Sequence, residues 1–336
     1  MKISLIGCGG IAKVHAQAIA ASGQSFLSCC DEKPERAADF AARFGCKPYS
    51  SLRALLDAER PDVVHICTPH YTHVPLAIYA LARGINVVLE KPATSFAADI
   101  PVLLDAAERS AAQTCVCFQN RYNAATRFAK DFLDNKRFGQ IKGARAFVSW
   151  ARSGGYYTDS DWRGSLNTEG TSVLINQSIH TLDLVQYLIG AEPSIVEGST
   201  ANRSLKDTIN TEDTAEACLT FPSGVQAIFH ATVAYTSNAD ITVEIVCENG
   251  VLLIKADEVY TTPSGGETQK INLAPNNAEA LGQSYWGSSH SAIINDFYAK
   301  LQNGEPFWLD AKEGCKALRT CFDIVESGKR REAITR

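Results

Sequence analysis

Over residues 1–121 short apolar runs alternate with longer amphipathic stretches. The runs are Ile3–Ile6, Phe26–Cys30, Val63–Cys67, Val87–Leu89 and Thr114–Phe118. Each has the length of a strand, and near-continuous hydrophobicity is what a strand covered on both faces requires. Between most of them apolar residues recur at helical spacing, over Ala12–Ala21, Pro34–Phe44, Leu52–Ala58, Pro75–Arg83 and Phe96–Arg109. Strands alternating with helices predict βαβ units and a doubly wound parallel sheet.

The rhythm then changes. After a helix near Ala124–Asn135, apolar and polar residues alternate over Lys142–Trp150, Ala215–Phe221, Val225–Thr232 and Ile241–Val246. That period of two predicts antiparallel strands with one covered face. Phe221–Gly224 and Glu248–Gly250 supply hairpin turns, and Thr262–Thr268 reads as an exposed hairpin. An apolar helix, Val173–Ile189, is inserted among the strands and stopped by Gly190. Two helices, Ser291–Gln302 and Asp310–Ser327, close the chain. The fold class expected is α/β, with a parallel sheet over 1–121 and an α+β domain over 122–336 built on a large, mostly antiparallel open sheet. The closing helix 310–327 is placed to pack back on the first domain.

Composition narrows the function classes. The 336 residues are 45% hydrophobic and 21% charged, which is ordinary for a globular protein. The net charge of −5 and the lack of a basic footprint argue against a nucleic-acid partner. No apolar run reaches the roughly 18 residues of a membrane-spanning helix. Met1-Lys2 leads straight into the first strand, without the apolar segment of a secretory signal, so a cytoplasmic protein is expected. The 11 cysteines include no CxxC pair, which reads as buried, reduced thiols and no metal site.

Gly7-Cys8-Gly9-Gly10-Ile11-Ala12 follows the first strand and opens the first helix, fitting G-x-G-x-x-G/A. The first glycine permits the tight turn, the second admits a pyrophosphate to the backbone, and the small Ala12 lets helix and strand pack closely. The second strand ends at Asp31, 19 residues past Ala12. A carboxylate there accepts from ribose hydroxyls and repels a 2′-phosphate, so the pattern favours NAD over NADP, although Lys33 and Arg36 lie close enough to help a phosphate. A helix-capping role for Asp31 before Pro34 coexists with that reading. Thr68-Pro69, at the end of another strand, is placed for cofactor contact, and His73 is either a helix-start residue or part of the same site.

Glu90-Lys91-Pro92 ends the strand Val87–Leu89, where a lysine points into the crevice at the carboxyl edge of the sheet. Asn176 and His180 lie four apart on the predicted helix, hence on one face, with Asp183 three further on to orient an imidazole or bond the backbone. Oxidising a secondary alcohol needs a base with a pKa near neutrality, which suits His180, and a donor for the developing alkoxide, which suits Lys91. Asn120, Arg121, Tyr156, Tyr157, Trp162, Arg163, Tyr285 and His290 are plausible contacts of a small-molecule substrate or its cofactor, with structural roles as the alternative for Trp162, Arg163, Tyr285 and His290.

As a set these pieces resemble the glucose–fructose oxidoreductase / inositol dehydrogenase / rhizopine catabolism (Gfo/Idh/MocA) family. The matching residues are Gly7–Ala12 with His15, Asp31, Thr68-Pro69 with His73, Glu90-Lys91-Pro92, Asp161-Trp162-Arg163-Gly164, and Asn176, His180 and Asp183, in that order. The resemblance implies an N-terminal Rossmann domain and a second domain whose open sheet mediates a homodimer or homotetramer. It implies a sugar or cyclitol substrate, and Lys91 and His180 as the catalytic pair. Gly7, Gly9, Gly10, Ile11, Ala12, Asp31, Thr68, Pro69, His73, Glu90, Lys91, Trp162 and Arg163 are implied at the cofactor. Asn176, Asn120, Arg121, Tyr157, Arg163, Asp183 and Tyr285 are implied at the substrate.

Two departures stand out. Many sugar and inositol members have Asp where this chain has Asn176, and Asn cannot act as a base. The string Asn176–His180 with Tyr156-Tyr157 resembles the branch that acts at C3 of nucleotide-linked N-acetyl amino sugar uronates, yet Glu169-Gly170-Thr171-Ser172 replaces that branch's glycine run. The function expected is NAD-dependent hydride transfer at a ring secondary alcohol. The alternative is a glycosidase or lyase using transient C3 oxidation and elimination with no net redox.

Overall fold

The computed structural model describes residues 1–273 and 289–336. The chain forms two compact units, each drawn from two segments. Residues 1–119 and 289–315 make the first; residues 120–273 and 316–336 make the second. Sequence pattern alone suggests a single cut after residue 121.

The first segment runs β1 (Lys2–Ile6), α1 (Ala12–Ala21), β2 (Ser25–Cys30), α2 (Pro34–Phe44), β3 (Lys47–Tyr49), α3 (Leu52–Glu59), β4 (Val63–Ile66), α4 (His73–Leu81), β5 (Asn86–Leu89), α5 (Asp99–Glu108) and β6 (Thr114–Val116). All neighbouring strands pair in parallel, in the order β3-β2-β1-β4-β5-β6. Ile3, Leu5, Val63, Val64, Val87 and Val88 are fully buried, as strands with helices on both faces demand. The order reverses between β1 and β4, and a ligand of such a sheet binds outside the strands' carboxyl ends there. The short edge strand β3 escapes the sequence reading because Lys47 and Pro48 break its apolar pattern.

The second segment contains α6 (Ala124–Asp134), β7 (Ile141–Ser149), α7 (Gly154–Thr158), a π-helical turn (Val173–Ser178), α8 (Ile179–Ile189) and then β8 (Ile195–Ala201), β9 (Thr214–Thr220), β10 (Gln226–Thr232), β11 (Thr242–Cys247), β12 (Gly250–Lys255), β13 (Glu258–Pro263) and β14 (Gln269–Ile271). From residue 289 on come α9 (His290–Asn303), α10 (Ala311–Gly314), α11 (Lys316–Arg330) and β15 (Ile334–Thr335). The nine-stranded sheet runs β14-β13-β12-β11-β7-β10-β9-β8-β15, antiparallel except where β7 and β10 pair in parallel. Its burial alternates. Ala144, Ala146, Val148, Ala227, Phe229 and Ala231 face the covering helices α8 and α11, while Phe147 and Ile228 on the other side are exposed.

The inserted helix differs from expectation. It begins as a π turn, in which the Ser178 hydroxyl donates to Val173 O at 2.7 Å. That competing hydroxyl widens the turn before α8 begins, and Gly190 at φ +84° ends α8. The expected closing helix 310–327 is two helices, broken at Cys315. The part before the break belongs to the first unit and α11 to the second.

Candidate active site

In the first unit, Gly7 sits at φ +88° directly after β1, and its N–H donates to Cys30 O at 2.7 Å. A Cβ there would lie 2.7 Å from Cys67 O, so only glycine lets the ends of β1 and β4 approach. A Cβ on Gly9 would meet nothing within 4 Å, and Gly10 is exposed. α1 starts without a side-chain cap, and its N-terminal end is where the helix dipole favours an anion. At the end of β2, Asp31 accepts from Cys8 N at 2.9 Å and from Lys33 N at 3.0 Å. Each carboxylate oxygen keeps a lone pair for a further donor. The capping alternative for Asp31 and its place beside the glycine turn thus coexist. Arg36 lies 3.8 Å from the same carboxylate. An open glycine turn, an uncapped helix and an acidic group at the neighbouring strand end fit the diphosphate and ribose of NAD.

Thr68 and Pro69 are half-buried beyond β4. His73 is wholly buried, with Nδ1 2.7 Å from Pro92 O and Nε2 3.0 Å from Thr68 O. Burial lowers its pKa, against the contacts with the Pro92 and Thr68 carbonyls. The ring lies between the Thr68 turn and the segment after Lys91.

Lys91 is half-buried just past β5, and its N–H donates to Glu90 Oε2 at 3.2 Å. Glu90 belongs to a buried polar chain that the sequence does not disclose. Its Oε1 lies 2.8 Å from His15 Nε2; His15 Nδ1 lies 2.8 Å from His65 Nδ1; and His65 Nε2 donates to the Tyr298 hydroxyl at 2.6 Å. Burial disfavours the His15 cation, but hydrogen bonds to Cys117 and Glu90 outweigh it and hold its pKa up at about 10. Burial pushes Glu90 the other way, yet contacts with His15 and His290 keep it well below the usual carboxylate range. His65 is pushed down by burial and the neighbouring His15 cation. With His15 protonated, anionic Glu90 accepts from it, His15 donates from both nitrogens, and neutral His65 accepts at Nδ1. His290 sits on Glu90, 3.3 Å from Oε1 and 2% exposed. His15, Glu90 and His290 form the one metal-type cluster among the described residues. The 2.8 Å contact makes the His15–Glu90 part an ion pair in its own right.

In the second unit, Asn176 lies in the π turn and His180 at the start of α8. A widened turn removes the simple four-residue stacking assumed from sequence. Even so, over 171–180 these are the two residues that are not buried. Asn176 Nδ2 donates to Glu169, a wholly buried carboxylate that also accepts from Gly164 N at 2.6 Å. Burial raises the Glu169 pKa, against the Gly164, Ser172 and Asn176 hydrogen bonds. Nearby Glu212, also buried and hydrogen-bonded by the Thr171 hydroxyl, is pushed by burial up to about 7.

The expected sugar contacts divide. Arg121 Nε and Nη2 reach Asp183 at 2.8 and 2.6 Å, with both side chains 2% exposed, and the guanidinium lies 4.6 Å from the Tyr187 ring. Arg121 and Asp183, implied at the substrate, form a buried ion pair between the turn before α6 and α8. Tyr157 is 2% exposed, burial raises its pKa, and it packs inside the 156–164 loop. Trp162 and Arg163 stay half-exposed, with Arg163 4.4 Å over the Tyr156 ring. Asn120 is half-buried, and its Oδ1 has no hydrogen-bond partner among the described residues. Tyr285 lies outside the described residues. None of the 11 cysteines is in a disulfide among the described residues. Among the described residues no helix is long and apolar enough to cross a membrane.

Comparison with known proteins agrees with this arrangement. UDP-N-acetylglucosamine 3-dehydrogenase of Acidithiobacillus ferrooxidans is 25% identical over 96% of this chain and 96% of its own. Levoglucosan dehydrogenase of Pseudarthrobacter phenanthrenivorans is 28% identical over 56% of this chain, and the match spans about half of that protein, 51%. The WlbA dehydrogenase of Bordetella pertussis, solved with NADH and UDP-GlcNAcA, superposes with a TM-score of 0.85 at 26% identity, covering 100% of this chain and 98% of that one. Two family models match: "Oxidoreductase family, NAD-binding Rossmann fold" over residues 1–118 and "GFO/IDH/MocA C-terminal domain" over 126–253. Between them they take in well over half of the chain, which belongs to the Gfo/Idh/MocA oxidoreductase family.

Proposed function

We propose that this protein is an NAD-dependent oxidoreductase that transfers a hydride between nicotinamide and a ring secondary alcohol of a sugar, sugar derivative or cyclitol. The observation that carries the reading is the glycine turn at Gly7, Gly9 and Gly10 beside the Asp31 carboxylate, in the segment the NAD-binding family model matches. Relatives named for UDP-N-acetylglucosamine, levoglucosan and inositol support the substrate class. When bound, NAD supplies the hydride acceptor. Lys91 is assigned as the donor that stabilises the reacting oxygen, and His180 as the acceptor of the hydroxyl proton. Asn176 is assigned to a substrate hydroxyl, with Asn120 as a further polar contact. The half-exposed Trp162 and Arg163 remain assigned to the cofactor or sugar.

A homodimer or homotetramer belongs to the same reading, supported by the exposed Phe147 and Ile228 on the uncovered face of the large sheet. A cytoplasmic place is supported by the 11 cysteines, none in a disulfide among the described residues.

The test is a panel of levoglucosan, glucose 6-phosphate, inositol and UDP-N-acetylglucosamine with NAD, read by NADH absorbance and by product analysis. NADH formed in step with a keto product is expected. Cleaved product without NADH would replace this reading with the eliminative one.

A further inference from the structure

We propose that Glu169 is a positioning residue that fixes the Asn176 amide, so that residue 176 meets a substrate hydroxyl as an acceptor through Oδ1. The inference rests on the reading of Asn176 as a substrate contact. Both residues lie in the second unit, and Glu169 is fully buried.

An amide can present either edge, and the choice is made by its fixed neighbours. Here the neighbour is itself fixed. Glu169 N donates to Ser165 O at 2.8 Å, which holds the backbone. Gly164 N donates to Glu169 Oε2 at 2.6 Å, which holds the carboxylate, because a backbone N–H cannot turn round. The remaining oxygen, Oε1, takes Asn176 Nδ2. An anionic Glu169 can only accept, and so leaves the amide no choice of edge. Oδ1 is thereby directed away from Glu169. Residue 176 offers an acceptor there without carrying charge itself; the negative charge sits one contact behind it, out of water. Facing the same carboxylate are the Ser172 hydroxyl, the guanidinium of Arg163, the buried Glu212 and the phenol of Tyr157.

The geometry also bears on Asn176→Asp. In this chain a second carboxylate at position 176 would touch Glu169 in a buried place, where two like charges cannot both ionise at neutral pH. The change is harmful unless Glu169 is neutralised at the same time.

The test is a double-mutant cycle on the full chain with the panel sugar of highest kcat/KM, with Asn176→Ala as a control and thermal melting to confirm folding. Glu169→Gln keeps the shape but offers the amide a donor as readily as an acceptor. It should raise KM about 10- to 100-fold with a smaller loss in kcat. Asn176→Asp should lose a comparable factor in kcat/KM at pH 7. The combined Glu169→Gln/Asn176→Asp variant should recover to within about 5-fold of the parent, since a Gln side chain can donate to the new carboxylate. A purely structural role for Glu169 would not be rescued by moving the charge. If Asn176→Ala raises KM while Glu169→Gln does not, or if the double variant is no better than its worse parent, the positioning role is overturned and the substrate contact stands. If neither Asn176→Ala nor Glu169→Gln moves KM, the reading of Asn176 as a substrate contact falls, and this inference with it.

Discussion

His15 Nε2 and Glu90 Oε1 are 2.8 Å apart, wholly out of water, one residue before the lysine assigned to the reacting oxygen. The pair anchors the end of β5 to α1. Removing one partner leaves an unpaired buried charge, which typically costs about 3–5 kcal/mol. Glu90→Ala and His15→Ala should each lower stability by that order in urea titrations at pH 7. A loss under about 1 kcal/mol from both would show that the pair is not ionised.

The same group gives stability a pH signature. The His15 pKa is raised from 6.5 to about 10, so its contribution is complete below pH 6.5 and is lost as pH rises through 10. His65, His73 and His290 are shifted the opposite way, chiefly by burial. They are neutral when folded and take up protons on unfolding, so stability falls as pH drops below about 6.5. Melting temperature against pH should therefore pass through a maximum near neutrality. His15→Gln should flatten the alkaline side and leave the acid side in place.

Asp31 is the residue proposed to set cofactor choice. Its carboxylate is held by Cys8 N and Lys33 N, so it cannot swing away from a 2′-phosphate. NADH should bind more tightly than NADPH in fluorescence titration. Asp31→Ser should narrow or reverse the preference by about 10- to 100-fold, the scale of a hydrogen bond to a charged group. Arg36, 3.8 Å from the carboxylate, would then be released toward a phosphate. An unchanged preference would remove Asp31 from that role.

What could be read from sequence follows physical range. α1 and α2 have the bounds that the apolar spacing predicts, because local periodicity and Pro34 determine them. The glycine turn and Asp31 were legible for the same reason. Contacts between distant residues were not. Arg121 and Asp183 are 62 positions apart and His65 and Tyr298 are 233 apart, so neither pairing leaves a local signal. The return of the segment before Cys315 to the first unit depends on Val116 N donating to Leu309 O and Ala311 N to the Thr114 hydroxyl. It also needs Gly314, where a Cβ would lie 2.6 Å from Val116. The π turn is hidden because one hydroxyl, that of Ser178, competes for the carbonyls of a segment whose apolar pattern is helical throughout.

The catalytic assignment makes a kinetic prediction. His180→Ala should reduce kcat by roughly 10²–10⁴, the usual worth of a positioned acid or base. Lys91→Ala should reduce it by about 10²–10³, the worth of one oriented donor. NADH affinity measured alongside should change little in His180→Ala. Near-parental turnover in His180→Ala would move the proton acceptor elsewhere.

Assembly provides the last test. On the face of the large sheet away from α8 and α11, Phe147 is 38% and Ile228 50% exposed, on the paired strands β7 and β10. His230 and Cys218 flank them, and Arg145 and Glu244 form an ion pair on the same face. Each strand of this region alternates a covered side with this open one, so the apolar residues cannot turn inward without moving the covered set out. A second copy of the chain is the economical cover, since a two-fold axis across the sheet would bury the same patch twice. Light scattering at micromolar concentration should give a multiple of 36.4 kDa. Phe147→Glu with Ile228→Lys should reduce the mass toward the monomer while NADH binding persists. A parental protein that already runs as a monomer would rule out this use of the face.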